Sequence, residues 1–541
     1  MTESWDHIVV GAGSAGCVVA ARLAEAGERV LLLEAGGDDR RRWVSMPLGA
    51  GKLLTDESAV WRFTTEVDPG AANRRMIWPR GKLLGGSSSV NGMLWVRGDP
   101  TRWDEWGAES PGWDWRSVGP IMRAMENTTL GDPQLRGRAG PVTIEPIIAA
   151  DGITEAFIAA CQASGIPANP DYNGAQHEGV GRLQTNTKRG RRHSMASAYL
   201  RPALRHAGLK VETGALTHRV IFEGRRAIGV EYVQGGVLHT ALARHGVVLA
   251  AGAIQSPQLL ELSGIGDADR LRALGIPVVA DLPGVGENLS DHFHIRVTWR
   301  SRGVLTVNDL MNRPWLHGPG QMLRWILFGT GMFATVSATA HALARTLPDS
   351  TRPDMKLQLH KISAADRTGF TKGTGLDPFS GVSIGFFNLY PESRGSVHIA
   401  SADALTPPRI IANFLATRGD EAAAIRGLRL AREIGQQAML RPFLIEETRP
   451  GGAAQDDAAL LAYAREVGQT SYHPVGTCRM GQGADAVVDA QCRVHGVDGL
   501  RVIDAAIMPF LVSSNTNAPA IAIGERGAAM ILAESNARAA A

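Results

Sequence analysis

The sequence is poor in cysteine and pairs none of it. Cys17, Cys161, Cys478 and Cys492 are the four in 541 residues, and no two of them form a CxxC pair. That argues against zinc and thioredoxin-like chemistry, and a reducing, cytoplasmic setting is expected. No uninterrupted apolar run approaches the roughly 20 residues that a membrane-spanning helix needs. Met1 to Asp6 is polar and acidic, without the basic start and apolar stretch of a secretory leader. Neither sign of charge dominates, with 56 basic and 53 acidic residues. Nothing in this balance calls for nucleic acid as a partner. The short basic runs at Arg40 to Arg42 and Arg189 to Arg192 read as solvated loops. The most apolar loop-like stretch, Trp325 to Phe333, is the one place where peripheral contact with an inner membrane face is expected.

Glycine is what the chain has in plenty, 63 residues of it, which implies many tight turns and close backbone approaches. The length calls for two or more domains. His7 to Val10 reads as a strand, Gly11 to Gly16 as a glycine turn, Cys17 to Ala26 as a helix and Val30 to Leu33 as a second strand. Together they make a βαβ unit of about 30 residues. Gly11-Ala12-Gly13-Ser14-Ala15-Gly16 fits G-x-G-x-x-G. Gly11 permits the turn, Gly13 lets a diphosphate near the backbone, and Gly16 lets helix and strand pack. Glu34 ends the second strand, where a carboxylate accepts from both ribose hydroxyls. A turn that merely packs is the bland alternative, but the strand, helix and acid in order argue for a dinucleotide. NAD and FAD both satisfy this fingerprint.

Further along, Gly85-Gly86-Ser87-Ser88-Ser89-Val90-Asn91 offers backbone amides and hydroxyls together, which suits a phosphate or the polar edge of a flavin. A tryptophan-rich stretch follows, from Trp95 to Trp115. Val247 to Ala250 and Leu500 to Ile503 read as buried strands, and Pro257 to Leu262 as a short helix. Met355 to His360, Val382 to Tyr390 and Ser396 to Ala400 alternate like strands of a separate antiparallel sheet. Asp420 to Leu440, with Asp420 as N-cap, and Ala518 to Leu532 read as helices.

The block from Gly81 to Asn91 resembles the first signature of the glucose-methanol-choline (GMC) oxidoreductase family. Gly252 to Pro257, continuing to Gly266, resembles its second. Ser471-Tyr472-His473-Pro474-Val475-Gly476-Thr477-Cys478 and Asn515-Thr516-Asn517-Ala518-Pro519 are similar to its C-terminal blocks. The motifs keep their order from Gly11 to Pro519. The resemblance implies an α/β chain: a Rossmann-like FAD domain from 1–155, 204–297 and 466–541, and a substrate cap of antiparallel sheet and helices from 156–203 and 298–465. It also implies FAD, and no metal. Gly11, Gly13, Ser14, Ala15, Gly16, Glu34 and Ala35 would hold the ADP half. Gly86, Ser87, Asn91 and Gly92 would follow the diphosphate and flavin edge. Val220 would meet the adenine through its backbone, Asp504 and Ala505 would lie near the ribityl chain, and Asn515 and Thr516 would complete the set. Some members attach FAD covalently through a histidine where this chain has Val90, so dissociable FAD is expected.

Alcohol oxidation needs a base for the hydroxyl proton and a donor for the developing alkoxide. The resemblance assigns His473 as the base and Asn517 as its partner. It implies a small alcohol as substrate and a quinone-like acceptor or O₂ as electron sink. Choline-oxidising members carry a glutamate shortly after a Gly-Thr-Gly turn. Here the turn is Gly329-Thr330-Gly331, spacing points to Thr339, and no acid occurs between Phe328 and Arg345. An uncharged primary alcohol is therefore the expected substrate, with choline as the alternative. Non-redox lyase chemistry on the same scaffold is a further one.

Overall fold

A computed structural model describes residues 4–148, 151–365 and 375–540; Met1 to Glu3 of the polar start lie outside them. Two seven-stranded sheets organise the chain. In the first, Leu209–Thr213, Val30–Glu34, Ser4–Val10 and the end of Val237–Leu249 run parallel in that order, with Leu500–Val502 parallel beyond. Val30–Glu34 is buried along its whole length, as a strand covered on both faces must be. The 13-residue strand Val237–Leu249 does two jobs. Its second half joins the parallel core, and its first half pairs antiparallel with Arg226–Gln234, which pairs in turn with Ala215–Glu223. Helix Ser14–Glu25 follows the first strand and buries Cys17, Val18, Ala21 and Leu23. It packs against the long helix Asn517–Ala540, and Arg22 bridges to Glu525 at 2.8 Å. The tryptophans are core rather than site: Trp103, Trp106 and Trp113 stack in series with centroids 5.2 and 4.7 Å apart, all fully buried.

The second sheet is antiparallel, in the order Leu444–Arg449, Phe293–Ser301, Gly381–Asn388, Met355–His360, Ala338–Ala344, Gly179–Arg182. Ile295, Val297, Leu357, Leu359, Ile384 and Phe386 alternate onto one face and pack with residues of helices Gly152–Ala163 and Arg418–Gln436. His294, Lys356, Gln358, His360, Ser383 and Phe387 occupy the opposite face by the same period-two rule.

Several local expectations are corrected. Ser396–His398 pairs with Arg409–Ile411 in a separate two-stranded sheet, outside the large one. Thr417, not Asp420, caps helix Arg418–Gln436; Asp420 sits in the first turn and accepts from the backbone of Glu392 and Ser393. Trp325 to Phe328 is not loop but the last turn of helix Pro314–Phe328, which Gly329 ends in the left-handed region. Within 156–203, Gly179–Arg182 joins the second sheet, and Ala196–Leu200 packs on the glycine-turn helix of the first.

Candidate active site

The first strand delivers the chain into the glycine turn at the edge of a cleft of about 1000 Å³. Gly11 adopts φ +98°, and a Cβ there would meet the carbonyl oxygen of Ala250 at 2.6 Å. A Cβ on Gly16 would come within 1.9 Å of the Gly11 oxygen, so this glycine is demanded by packing rather than by a ligand. Helix Ser14–Glu25 begins at Gly13 with no side-chain cap. Its first-turn amides are thus available to an anion, as a diphosphate requires.

Glu34 holds this turn as well as facing the cleft. Its Oε2 accepts from the Ala12 amide at 2.9 Å and its Oε1 from the Gly36 amide at 2.8 Å. One lone pair remains on each oxygen for ribose hydroxyls. Burial pushes its carboxyl up to about 7. The Gly/Ser loop lies against the turn: a Cβ on Gly86 would be 2.7 Å from the Gly13 Cα. Of its three serines only Ser87 lines the cleft. Ser88 donates to the Gly85 carbonyl and Ser89 to that of Leu84, which shapes the loop itself. Asp504 closes the far end, taking the Gly252 amide, the Ser256 hydroxyl and the Ala506 amide at 2.6–2.8 Å.

Gly11, Gly13, Ser14, Ala15, Glu34 and Ala35 therefore come together on one cleft, with Gly86, Ser87, Asp504 and Ala505. Asn91, Gly92, Val220, Asn515 and Thr516 do not line it. The Asn91 side chain accepts from the Met93 amide and from Arg192, both at 2.9 Å. The Val220 amide donates to Ser263 Oγ at 2.9 Å, and Ala215, Leu216 and Thr217 of the same strand face the cleft instead. Val90 sits in an apolar cluster with Val44, Val60 and Leu83. Sequence reasoning passed over Arg80, which lines the cleft and donates to the Tyr472 carbonyl at 2.8 Å. Its place beside Gly81, at the start of the Gly/Ser motif, was the available signal.

That bond leads to His473. Tyr472 stands at φ +64°, a conformation a tyrosine adopts only when its surroundings enforce it. Asp291 enforces it: its Oδ1 accepts from the amides of His292 and His473, and its Oδ2 from the Thr470 hydroxyl. Burial pushes this carboxyl up to about 7. The buried ring of His473 faces His292, with Nδ1 to Nδ1 at 3.0 Å, and His292 Nε2 meets the Leu389 carbonyl at 3.1 Å. Phe387 packs against both rings.

The other ring nitrogen, His473 Nε2, meets an asparagine amide at 2.9 Å, and it is that of Asn515. Asn517 is elsewhere: as the first residue of helix Asn517–Ala540 it accepts from Ser14 Oγ at 2.8 Å and ties that helix to the glycine turn. Ser513, at φ +117°, bends the chain so that Ser514 and Asn515 turn toward the second sheet. There the Lys356 ammonium, fully buried, donates to Asn515 Oδ1 at 2.6 Å and to Ser514 Oγ at 2.8 Å. Burial pulls Lys356 down to about 7 and His292 to about 3. His473 is held well below the ordinary histidine range, first by burial, then by His292, Lys356 and Arg80. The imidazole is neutral, as a proton acceptor must be.

The cleft fits a dinucleotide, and Arg80 in its wall holds the Tyr472 carbonyl, one residue before the neutral histidine. Comparison with known proteins agrees with this geometry. Family models described as GMC oxidoreductase match residues 5–294 and 391–524. The mitochondrial choline dehydrogenase of Homo sapiens is 41% identical over 549 residues, covering 98% of this chain and 90% of that protein. The oxygen-dependent choline dehydrogenase of Vibrio vulnificus is 38% identical, covering 98% and 95%. Among solved structures, pyridoxine 4-oxidase from Mesorbium loti superposes with a TM-score of 0.87 at 30% identity, over 97% of this chain and 98% of that one. Formate oxidase of Aspergillus oryzae RIB40 gives 0.90 at 25%, over 99% of each. The chain belongs to the GMC oxidoreductase family, and it is an FAD-dependent oxidoreductase acting on the CH–OH group of an alcohol.

Proposed function

We propose that the protein oxidises an uncharged primary alcohol to its aldehyde. FAD, when bound, supplies the hydride acceptor at flavin N5. His473 Nε2 takes the hydroxyl proton. Asn515, through its Nδ2, holds the alcohol oxygen as its charge develops, in place of the Asn517 that the motif alone suggested. The first sheet carries the cofactor and the polar face of the second covers the substrate. Gly11, Gly13 and the uncapped helix amides receive the diphosphate, and Glu34 the ribose. Val90, packed among aliphatic side chains, offers no bond to the flavin, so the cofactor dissociates.

The observation that carries the substrate class is charge. None of the strands Phe293–Ser301, Ala338–Ala344, Met355–His360 and Gly381–Asn388 contains an aspartate or glutamate. The charged group of this face that reaches the His473–Asn515 pair is a cation, Lys356. Thr339, at the spacing of the choline-binding glutamate, points away. A bulge between Ala338 and Ala340 turns it to Thr154 at 2.9 Å. A quaternary ammonium would meet like charge and no counter-ion. Choline remains the second reading because choline dehydrogenases are the similar relatives.

An anaerobic panel of aliphatic, ether and aryl alcohols, with choline, decides between them by the loss of flavin absorbance. Reduction by choline at low millimolar levels, faster than by any neutral alcohol, would overturn the substrate class. Replacing His473 by Ala is expected to slow flavin reduction about 10²–10⁴-fold, the worth of a positioned base. We read the electron acceptor as a quinone-like molecule reached at a membrane surface. Helix Pro314–Phe328 supports this, exposing more than half of Trp315, Leu316, Leu323, Ile326, Leu327 and Phe328. Arg313 and Arg324 flank that apolar stripe and the helix has no acid, as an interfacial helix on anionic lipid requires.

A further inference from the structure

We infer that Lys356 is a positioning residue of the oxidation, fixing through Asn515 which nitrogen of His473 carries the lone pair. The inference rests on the reading of His473 as proton acceptor.

The argument is one of donors and acceptors. In its charged form Lys356 only donates. Asn515 Oδ1, 2.6 Å from Lys356 Nζ, must therefore accept, and the other end of the amide must be NH₂. That end lies 2.9 Å from His473 Nε2, so Nε2 accepts and the ring proton resides on Nδ1. Nδ1 then donates across 3.0 Å to His292 Nδ1, which leaves the His292 proton on Nε2, where the Leu389 carbonyl receives it at 3.1 Å. Each link follows from the one before, and the first is Lys356. Without it only the longer 3.2 Å bond from Ser514 Oγ to Oδ1 holds the amide, and it turns over more readily. Oδ1 would then face Nε2 and favour a proton there, and Nε2 could accept none.

The surroundings show that the lysine is held for this purpose. It is fully buried and has no carboxylate within ion-pair distance among the described residues. Its neighbours are His292, His341, His360 and His473, which burial keeps neutral, and the ring of Phe387 at 5.8 Å. A buried ammonium without a counter-charge is destabilising, so packing alone does not account for it. The strained Ser513 backbone, which brings Ser514 and Asn515 to the ammonium, adds to the cost of building this contact.

The test compares Lys356→Met with Lys356→Gln in the FAD-loaded enzyme. Glutamine keeps a donor for Asn515 Oδ1 and drops the charge; methionine drops both. Lys356→Met is expected to slow flavin reduction about 100-fold, the scale for disabling one preorganised donor, and Lys356→Gln to restore most of it. Nitrogen-15 NMR of histidine-labelled enzyme, with His473→Ala as the assignment control, reads the tautomer directly. Wild type should carry the His473 proton on Nδ1, and Lys356→Met should lose that preference. A wild-type proton on Nε2 would overturn the inference. So would Lys356→Met that keeps its FAD and its rate, or Lys356→Gln as slow as Lys356→Met. Should the methionine variant not fold, the wild-type tautomer and the glutamine variant still decide. A fast His473→Ala enzyme would instead sink the base assignment itself, and a slow one beside a fast Lys356→Met would sink only the role of the lysine.

Discussion

Asn515 and Asn517 stand two residues apart in one motif, and the structure gives them different partners. Replacing Asn515 by Ala removes the donor 2.9 Å from His473 Nε2 and leaves the Lys356 ammonium without its closer acceptor. A single donor preorganised toward a developing oxyanion is worth about 10²–10³ in rate, so the flavin-reduction constant should fall by that factor. The cofactor cleft is untouched, because Asn515 does not line it. Replacing Asn517 by Ala removes the acceptor of the Ser14 hydroxyl, at the point where the C-terminal helix meets the glycine turn. A neutral hydrogen bond contributes about 1 kcal/mol net, which corresponds to roughly fivefold weaker FAD binding. The rate per bound flavin should stay within about threefold of wild type, since this amide is not at the imidazole. Anaerobic stopped-flow with the best alcohol of the panel gives the first quantity. Fluorescence titration of apoenzyme with FAD gives the second. A slow Asn517 variant beside an Asn515 variant of normal rate would refute the assignment and return the catalytic role to Asn517.

Asp291 titrates at about 7 in the folded chain against an ordinary carboxylate value near 4. The unfolded chain loses this proton first, so the stability it contributes is full below about pH 4 and is lost as pH rises toward 7. Asp291→Asn keeps an oxygen for the two amides and should flatten that part of the slope, read as urea midpoints at pH 5 and pH 7. Acid precipitation should release yellow flavin into the supernatant; colour that stays in the pellet would contradict the reading of Val90. Flotation with phosphatidylglycerol vesicles should carry the protein upward, and a Leu323→Ser, Ile326→Ser, Leu327→Ser variant should remain behind. If wild type also stays behind, the interfacial helix has no such role. Thr339→Glu should destabilise the fold, by placing a carboxylate beside Thr154 and near Asp151 in a dry setting, and should not confer reduction by choline; a gain of choline activity would show that Thr339 reaches the substrate.

The parts of the fold that were legible were those where local chemistry and tertiary demand coincide. Met355–His360 was read to the residue because its alternation survives in a sheet with one apolar and one polar face. The glycine turn was legible because only glycine tolerates the approach of Ala250 at Gly11. What was not legible depended on contacts that sequence does not carry. Nothing in Asn515-Thr516-Asn517 says which amide the chain will turn toward His473. That choice is made by the bend at Ser513 and by a lysine some 160 positions upstream, for which the sequence offered no motif. Thr339 looked like a substrate contact by counting, until a bulge moved it off the face. Val220, placed by resemblance alone, does not line the cleft, whereas Ala215, Leu216 and Thr217 of the same strand do.

The electrostatics of the site suggest how it handles a weak acid with a weak base. A catalytic histidine is often made more basic by a carboxylate on its ring, as in hydrolase triads. Here the nearest carboxylate, Asp291, spends its oxygens on backbone amides and a threonine hydroxyl, and the ring partner is another neutral histidine. Lys356 and Arg80 push His473 further toward the neutral form. Such a base is ready throughout the physiological range but has little affinity for the proton it must take. Efficient transfer then requires the difference to be closed from the other side, by lowering the pKa of the alcohol. The same groups do that. A buried ammonium, aimed through the Asn515 amide at the place proposed for the alkoxide, favours the anion just as it disfavours the imidazolium. On the proposed reading, the four strands without acids would do two things with one arrangement of charge: turn away cationic alcohols, and make neutral ones easier to deprotonate.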